Sequence, residues 1–395
     1  MVYSPQEVRR ILYISLACHL KKTAYIYQLD TWPKFTWNQE RIASTLGSVR
    51  NRQGRLMGRM EALGLALRSE ATLCTLTLDV LKSSEIEGEK LDPAKVRSSI
   101  ARKLGMEIGG LIPSDRHVDG VVEMMLDAVR NFNKPLAKDR LFGWHASLFP
   151  AGRSGMHKII TGAWRTDSHG PMRVVSGAVG REKVHFQAPE AGCLNEEMKK
   201  FLTWFNGAGE IDPVIKAAIA HLWFVTLHPF DDGNGRIARA VADMQLARSD
   251  GSRERFYSMS ARIRQERNAY YDILEKTQKN TVDSKVGIDI TMWLEWFLGC
   301  MGRALEATEN TLAGIFRKAR FWEKHPAGTI NERQHVMLNK LLDGFEGKLT
   351  TSKWAKITKC SQDTALRDIL DLAGKGILIK DSAGGRSTSY LLKEA

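Results

Sequence analysis

The sequence predicts a mostly α-helical protein that carries one small β-hairpin and ends in a mixed α+β module. Three observations carry this prediction. Apolar residues recur at helical spacing through most of the chain. Two stretches, near residues 172–189 and 377–392, read instead as β-branched or apolar strands around glycine-rich turns. The length of 395 residues, with 43% hydrophobic content, supplies ample core for two or three domains.

At the N-terminus, Arg9 and Arg10 precede an apolar run from Ile11 to Cys18 that faintly mimics a signal peptide. The run is short and lacks a small-residue cleavage site, so a short helix or an upstream extension is expected. Residues 25–37 form an aromatic-rich lead-in whose rings are expected to pack. Residues 38–68 are a helix-forming run without proline. A further amphipathic helix is expected from about Thr72, with Leu73, Leu76, Val80 and Leu81 apolar and Gly88 as its stop. Helices are also expected over residues 93–104, 119–131, 138–148, 190–206, 213–227, 262–278 and 289–318. Residues 172–177 and 184–189 flank Gly-Ala-Val-Gly and read as the hairpin. Past about Pro326 come helices at 332–342, 352–357 and 362–373, then strands at 377–380 and 389–392. That order resembles a winged helix. Its candidate recognition helix carries Ser361, Gln362, Asp363, Thr364 and Arg367, and its wing carries Lys380 and Arg386. Such a surface can contact DNA, although Asp363, Asp368 and Asp371 make this helix acidic. Three domains are expected, over residues 1–100, 101–320 and 326–395.

The run His228-Pro-Phe-Asp-Asp-Gly-Asn-Gly-Arg-Ile-Ala-Arg239 concentrates the chemistry. Gly233 and Gly235 flank Asn234, so the backbone can turn sharply and approach a ligand. A helix is expected to start here, and its free N–H groups and dipole suit phosphate. Arg236 and Arg239 are three apart and share one side of the first turn, where guanidinium groups match phosphate oxygens. Asp232 offers the hard oxygen that Mg²⁺ prefers. His228 can accept a proton near neutral pH. Together these residues equip a loop to handle a metal-bound polyphosphate beside a nucleophile.

The run resembles the signature of the Fic family, His-x-Phe-x-Asp/Glu-Gly-Asn-Gly-Arg-x-x-Arg, at every specified position. The resemblance implies a helical Fic core that transfers AMP from ATP to a Ser, Thr or Tyr hydroxyl of a target protein, with ATP and Mg²⁺ required. It makes His228 the general base and Asp232 the Mg²⁺ holder. It places Asn234, with the Gly233–Gly235 amides, around the α- and β-phosphates, Arg236 at the β-phosphate and Arg239 at the γ-phosphate; Ile237 and Ala238 complete the ATP-binding stretch. Gly235 stands where a phosphorylating branch has Lys, which favours nucleotidyl transfer. Ser83, Glu87 and Gly88 fit the motif of the autoinhibited members, in which Glu87 would pair with Arg239 and deny it to the γ-phosphate. Val174, Val175, Ser176 and Gly177 fall where the family has a target-docking flap. Tyr270 falls in the segment that walls the adenosine pocket, and Gln278 where some relatives have Asn. Relatives often dimerise, so a second copy of the chain is one implied partner.

Lys and Arg total 58 against 45 Asp and Glu, a formal charge of +13, which suits anionic ligands without identifying one. Five dispersed cysteines, Cys18, Cys74, Cys193, Cys300 and Cys360, lack metal-type spacing and read as thiols in a reducing compartment, hence a cytoplasmic location. No run approaches a membrane span. His221 reads as a core histidine. The expected function is that of an autoinhibited protein adenylyltransferase. The alternatives are a DNA-binding regulator with the Fic core as sensor, or an enzyme that removes AMP or transfers another nucleotide.

Overall fold

The computed structural model describes residues 10–12 (backbone only), 25–107, 110–168, 170–177, 181–280, 285–325, 329–345, 347–381 and 388–393. Strands β1 (Arg10–Leu12) and β2 (Phe35–Thr36) lead into helices α1 (Gln39–Glu61), α2 (Leu65–Ile86), α3 (Pro93–Lys103), α4 (Arg116–Arg130) and α5 (Lys138–Leu148). Short strands β3 (Arg153–Ser154), β4 (His157–Lys158), β5 (Arg173–Ser176) and β6 (Lys183–Gln187) follow. Then come α6 (Leu194–Asn206), α7 (Pro213–Leu227), α8 (Asn234–Asp250), α9 (Met259–Gln265) and α10 (Arg267–Gln278). After β7 (Ile288–Asp289) the chain forms α11 (Thr291–Thr311), α12 (Ala313–Lys324), α13 (Glu332–Leu342), α14 (Thr351–Thr358) and α15 (Gln362–Gly374), and closes with β8 (Leu378–Lys380) and β9 (Tyr390–Leu392). The mostly helical class is as the sequence predicts.

Contacts divide the chain into two compact units, Met1–Ala62 with Ala71–Thr308, and Leu63–Glu70 with Glu309–Ala395. The first is built around α7, whose residues are buried from Val214 to Leu227. Asp212 caps it by accepting from Val214 N at 2.8 Å, and Pro213 sits in the first turn where no N–H is needed. Helix α8 packs along α7, and α4 and α5 pack against α8. Gly120 lets α4 approach α5, since a Cβ there would overlap the Ser147 carbonyl. Strands β1, β5 and β6 form an antiparallel sheet in which Ile11 pairs with Val174 and Val174 with Phe186.

In the second unit, Met337, Trp354, Ile369 and Leu378 are among the residues of a separate core. Asn331, Thr350 and Ser361 cap its three helices α13 to α15. The antiparallel pair β8 and β9 follows α15, in the order the sequence predicts. Arg386 lies outside the described residues.

Several boundaries differ from expectation. Residues 10–12 are a strand rather than part of a short helix, and Cys18 lies outside the described residues. The run 38–68 breaks after Glu61, next to the poor helix former Gly64, and α2 starts at Leu65, ahead of the predicted Thr72. The run 262–278 breaks at Glu266, whose carboxylate accepts from Arg262 and Arg303 at 2.5 and 2.6 Å. The run 289–318 breaks at Leu312. Helix α4 starts at Arg116 because Asp115 caps it, accepting from Val118 N at 3.0 Å.

Candidate active site

The site grows from the turn between α7 and α8. His228 ends α7 in the left-handed region (φ 48°, ψ 57°), with its N–H still bonded to Phe224 O at 3.0 Å. A non-glycine residue holds that conformation only where its surroundings over-determine it. Arg165 is the main clamp: its backbone N–H donates to Pro229 O at 2.9 Å, Nε to His228 O at 2.8 Å and Nη2 to Pro189 O at 2.5 Å. The His228 ring is fixed in turn, because Nδ1 donates to the Val225 carbonyl at 3.1 Å. That bond leaves Nε2 as the basic nitrogen. Nε2 is buried and has no hydrogen-bond partner among the described residues. Burial pushes the His228 pKa down to about 4, with Arg165 acting in the same direction against the Val225 carbonyl and Asp232.

The rest of the loop is pinned from inside. Phe230 is fully buried and stacks on His145, ring centroids 4.2 Å apart. Asn234 closes the turn by accepting from Phe230 N at 2.9 Å and donating to Phe230 O at 2.8 Å. Its side chain is therefore committed to the loop. His145 accepts from Gly162 N at 3.1 Å through Nδ1 and donates to Asp232 O at 3.2 Å through Nε2. The Asp232 carboxylate accepts from Gly233 N at 2.5 Å and from the Ser154 hydroxyl. Gly233 has φ 78°, and a Cβ there would meet Phe149 at 2.9 Å. Both the conformation and the space require glycine.

Helix α8 has no side-chain N-cap, so its first-turn N–H groups are not taken by one. Ile237 and Ala238 are fully buried, and Ile237 N–H already bonds Gly233 O at 3.0 Å. They anchor the turn to the core. Arg236 and Arg239 are buried on one side of it, and each keeps one guanidinium nitrogen without a hydrogen-bond partner among the described residues, Nε of Arg236 and Nη1 of Arg239.

Both arginines are held by the end of α2. Arg239 Nη2 meets Glu87 Oε1 at 2.8 Å, while its Nε and Nη2 donate to the hydroxyl and carbonyl of Ser83 at 3.0 and 2.9 Å. Gly88 (φ 85°) turns the chain there. Arg236 Nη1 meets Glu89 Oε2 at 2.8 Å, and the other oxygen of Glu89 pairs with His117 Nε2 from α4. Nothing in the local sequence singles out Glu89 or His117.

A cavity opens over this arrangement. His228, Asp232, Gly235 and Glu87 line it, together with Val174, Phe186, Tyr271 and Leu274. Tyr270 also borders it, but only 1% of the residue is exposed and its hydroxyl bonds His221 Nε2 at 2.8 Å. The neighbouring Tyr271, unnoticed in the sequence, borders the cavity as well. Gln278 reaches Thr226 Oγ1 through Nε2 at 3.2 Å. Val174 of β5 faces the cavity, Val175 packs inward, and Gly177 ends the strand at φ 100°. Ser176 bonds His185 Nε2 at 2.6 Å, and His185 Nδ1 bonds Glu275 at 2.6 Å, tying the hairpin to α10. Among the described residues, no group of three or more His, Cys, Asp or Glu is placed to hold a metal ion. No helix among them is long and apolar enough to cross a membrane.

A buried neutral imidazole beside an arginine-bearing helix N-terminus, on a mostly helical frame, is an arrangement that suits phosphate. Residues 135–246 match the model of the Fic/DOC family, and residues 25–106 match that of a domain of unknown function, DUF4172. It is similar to protein adenylyltransferase fic-1 of Caenorhabditis elegans, 35% identical over 96 residues that make up 24% of this chain and 18% of that protein. It is also similar to protein adenylyltransferase Fic of Culex quinquefasciatus, 27% identical over 263 residues, 65% of this chain and 46% of that protein. The chain thus spans less than half the length of these curated relatives. A Fic family protein from Desulfovibrio desulfuricans G20 shares the fold at a TM-score of 0.57 and 19% identity, over 92% of this chain and 98% of the other.

Proposed function

We propose that this chain is an autoinhibited protein adenylyltransferase that moves AMP from ATP to a Ser, Thr or Tyr hydroxyl of a target protein. The observation that carries this reading is the bare, basic Nε2 of His228 in one cavity with the first turn of α8. In the reaction the target hydroxyl oxygen attacks the α-phosphorus and its proton passes to His228 Nε2. The bond from the α-phosphorus to its bridging oxygen breaks, and pyrophosphate leaves. Such transfer asks the protein for positioning and charge stabilisation rather than covalent chemistry. Arg236 and Arg239 suit the leaving pyrophosphate, and a positioned base contributes about 10²–10⁴-fold.

The donor set fits Mg²⁺. The Asp232 carboxylate, which lines the cavity beside the first turn of α8, suits a cation that arrives with the nucleotide, since Mg²⁺ takes one or two carboxylates together with phosphate oxygens. When bound it would neutralise charge on the phosphate tail. The Glu87–Arg239 pair supports the inhibited state, because it occupies a cation that the tail needs. Every ~1.4 kcal/mol favouring that pair costs about tenfold in rate.

The test is intact-mass analysis after incubation with ATP and Mg²⁺. Glu87→Gly should gain the mass of AMP faster than the unaltered protein, and His228→Ala placed in the Glu87→Gly background should abolish the gain. A Glu87→Gly protein that binds ATP yet modifies itself no faster would remove the inhibitory role. Loss of AMP from a modified target, with no addition, would instead favour the removal reaction.

A cytoplasmic setting belongs to the same reading, on the odd number and wide spacing of the five cysteines in the sequence. The second unit leaves Gln362, Asp363 and Arg367 exposed on α15. Salt-dependent duplex binding is the measurement that would add DNA to its partners.

A further inference from the structure

We infer that Glu89 is a second latch on the nucleotide site, occupying Arg236 as Glu87 occupies Arg239, so that a nucleotide's polyphosphate tail must displace two carboxylates. The inference rests on the transferase reading for the identity of the ligand.

Glu87 and Glu89 flank Gly88, whose positive φ of 85° closes the end of α2. Glu89 N–H donates back to Ser84 O at 3.1 Å, which fixes the turn. One turn of chain thus presents two carboxylates to two arginines that lie three residues apart on α8. Each carboxylate approaches its guanidinium at 2.8 Å. Arg236 is nearly buried, with 6% of its side chain exposed, and its guanidinium lies 5.0 Å from the centre of the Phe149 ring. A buried cation without a counter-charge is costly. In the structure Glu89 supplies that counter-charge; phosphate oxygens would supply it in a nucleotide complex. The unpartnered Nε of Arg236 leaves a donor for them.

His117 makes the exchange feasible. It holds Oε1 of Glu89 while Oε2 holds Arg236. A Glu89 released from Arg236 therefore keeps a hydrogen-bonded partner at the surface. Glu89 and His117 are about one-third exposed, so the carboxylate can swing toward solvent. His117 is a positioning residue here and does not touch the reacting atoms.

The two latches predict discrimination by phosphate count. A nucleoside monophosphate has no tail to compete for the arginines, whereas a triphosphate competes at both. Titration calorimetry of the full chain with ATP and with AMP, both with Mg²⁺, compares the unaltered protein with Glu89→Gln, Glu87→Gly and the double variant. Glutamine preserves the shape and a hydrogen bond to His117. Glu89→Gln should tighten ATP by about fivefold, the scale of one partly exposed ion pair, and leave AMP within about twofold. The double variant should modify itself about fivefold faster than Glu87→Gly. Equal tightening of ATP and AMP, or no change in either, would overturn the second latch, as would a double variant no faster than Glu87→Gly while the latter is active. Selective tightening of ATP without any protein modification would leave the latch standing and sink the transferase reading.

Discussion

The role proposed for His228, that of a base, depends on its being denied its own charge. Its surroundings push the pKa to about 4, chiefly through burial, so the imidazole is neutral across the physiological range. The rate should follow. In a Glu87→Gly background, kcat/KM for auto-modification should stay flat as pH falls from 8 through ~6.5 and decline only toward ~4. A limb centred near ~6.5 would mean that the working site is wet. The residues from His228 to Arg239 were legible in the sequence because the chemistry is contiguous. Arg165, which clamps the His228 carbonyl, and His145, which stacks on Phe230, come from distant segments and carry no local sign of their use. Glu89 reads in sequence as one more charge at a helix end.

At the scale of elements, the helices begin where capping chemistry says they should. Asp92, Asp115, Asp212, Asn331 and Ser361 each accept from the first turn of the following helix. The breaks were harder to read. Gly64 is a recognisable interruption, but Glu266 sits between two helices where Arg303, on α11, meets its carboxylate at 2.6 Å. A contact with a distant helix leaves no trace in a helical period. The crossing of α4 and α5 depends on a single missing methyl. Gly120→Ala drives a Cβ into the Ser147 carbonyl and must part the two helices. Because α5 carries His145, which stacks on Phe230 and bonds Asp232 O, the strain should reach the loop that follows His228. Unfolding should become easier by about 1–3 kcal/mol, measurable as a lower urea midpoint with unchanged slope. An unaltered midpoint would mean that α4 and α5 can slide apart without cost.

Across the whole molecule, burial of neutral imidazoles sets the response to acid. His145, His221 and His228 have their pKa pushed down to about 4, 3 and 4, in each case first by burial. Unfolded, each would titrate near ~6.5. Between those values the unfolded chain binds more protons, so stability falls as pH drops, by up to about 1.4 kcal/mol per histidine per pH unit. Three groups oppose this. Burial raises the Asp243 and Asp250 carboxyls, against the attraction of Arg255, and pairing with Glu89 raises His117, with Asp115 assisting. His325, held below its usual value, and the Glu89, Glu266 and Glu275 carboxyls, held below theirs, act with the imidazoles. The balance is a net loss, and urea unfolding should show a smaller free energy at pH 5 than at pH 7. Equal values would mean that the buried imidazoles reach solvent. The charge excess of +13 was plain in the sequence, but it gave no hint of which ionisable groups lie inside.

The sheet formed by β1, β5 and β6 has a consequence for access. Ile11 pairs with Val174, and Val174 borders the cavity that His228 lines. The chain's own leader therefore lies along the outer margin of the hairpin, where a visiting peptide would otherwise lengthen the ribbon from that side. A visitor must either peel the leader away or add itself beyond β6.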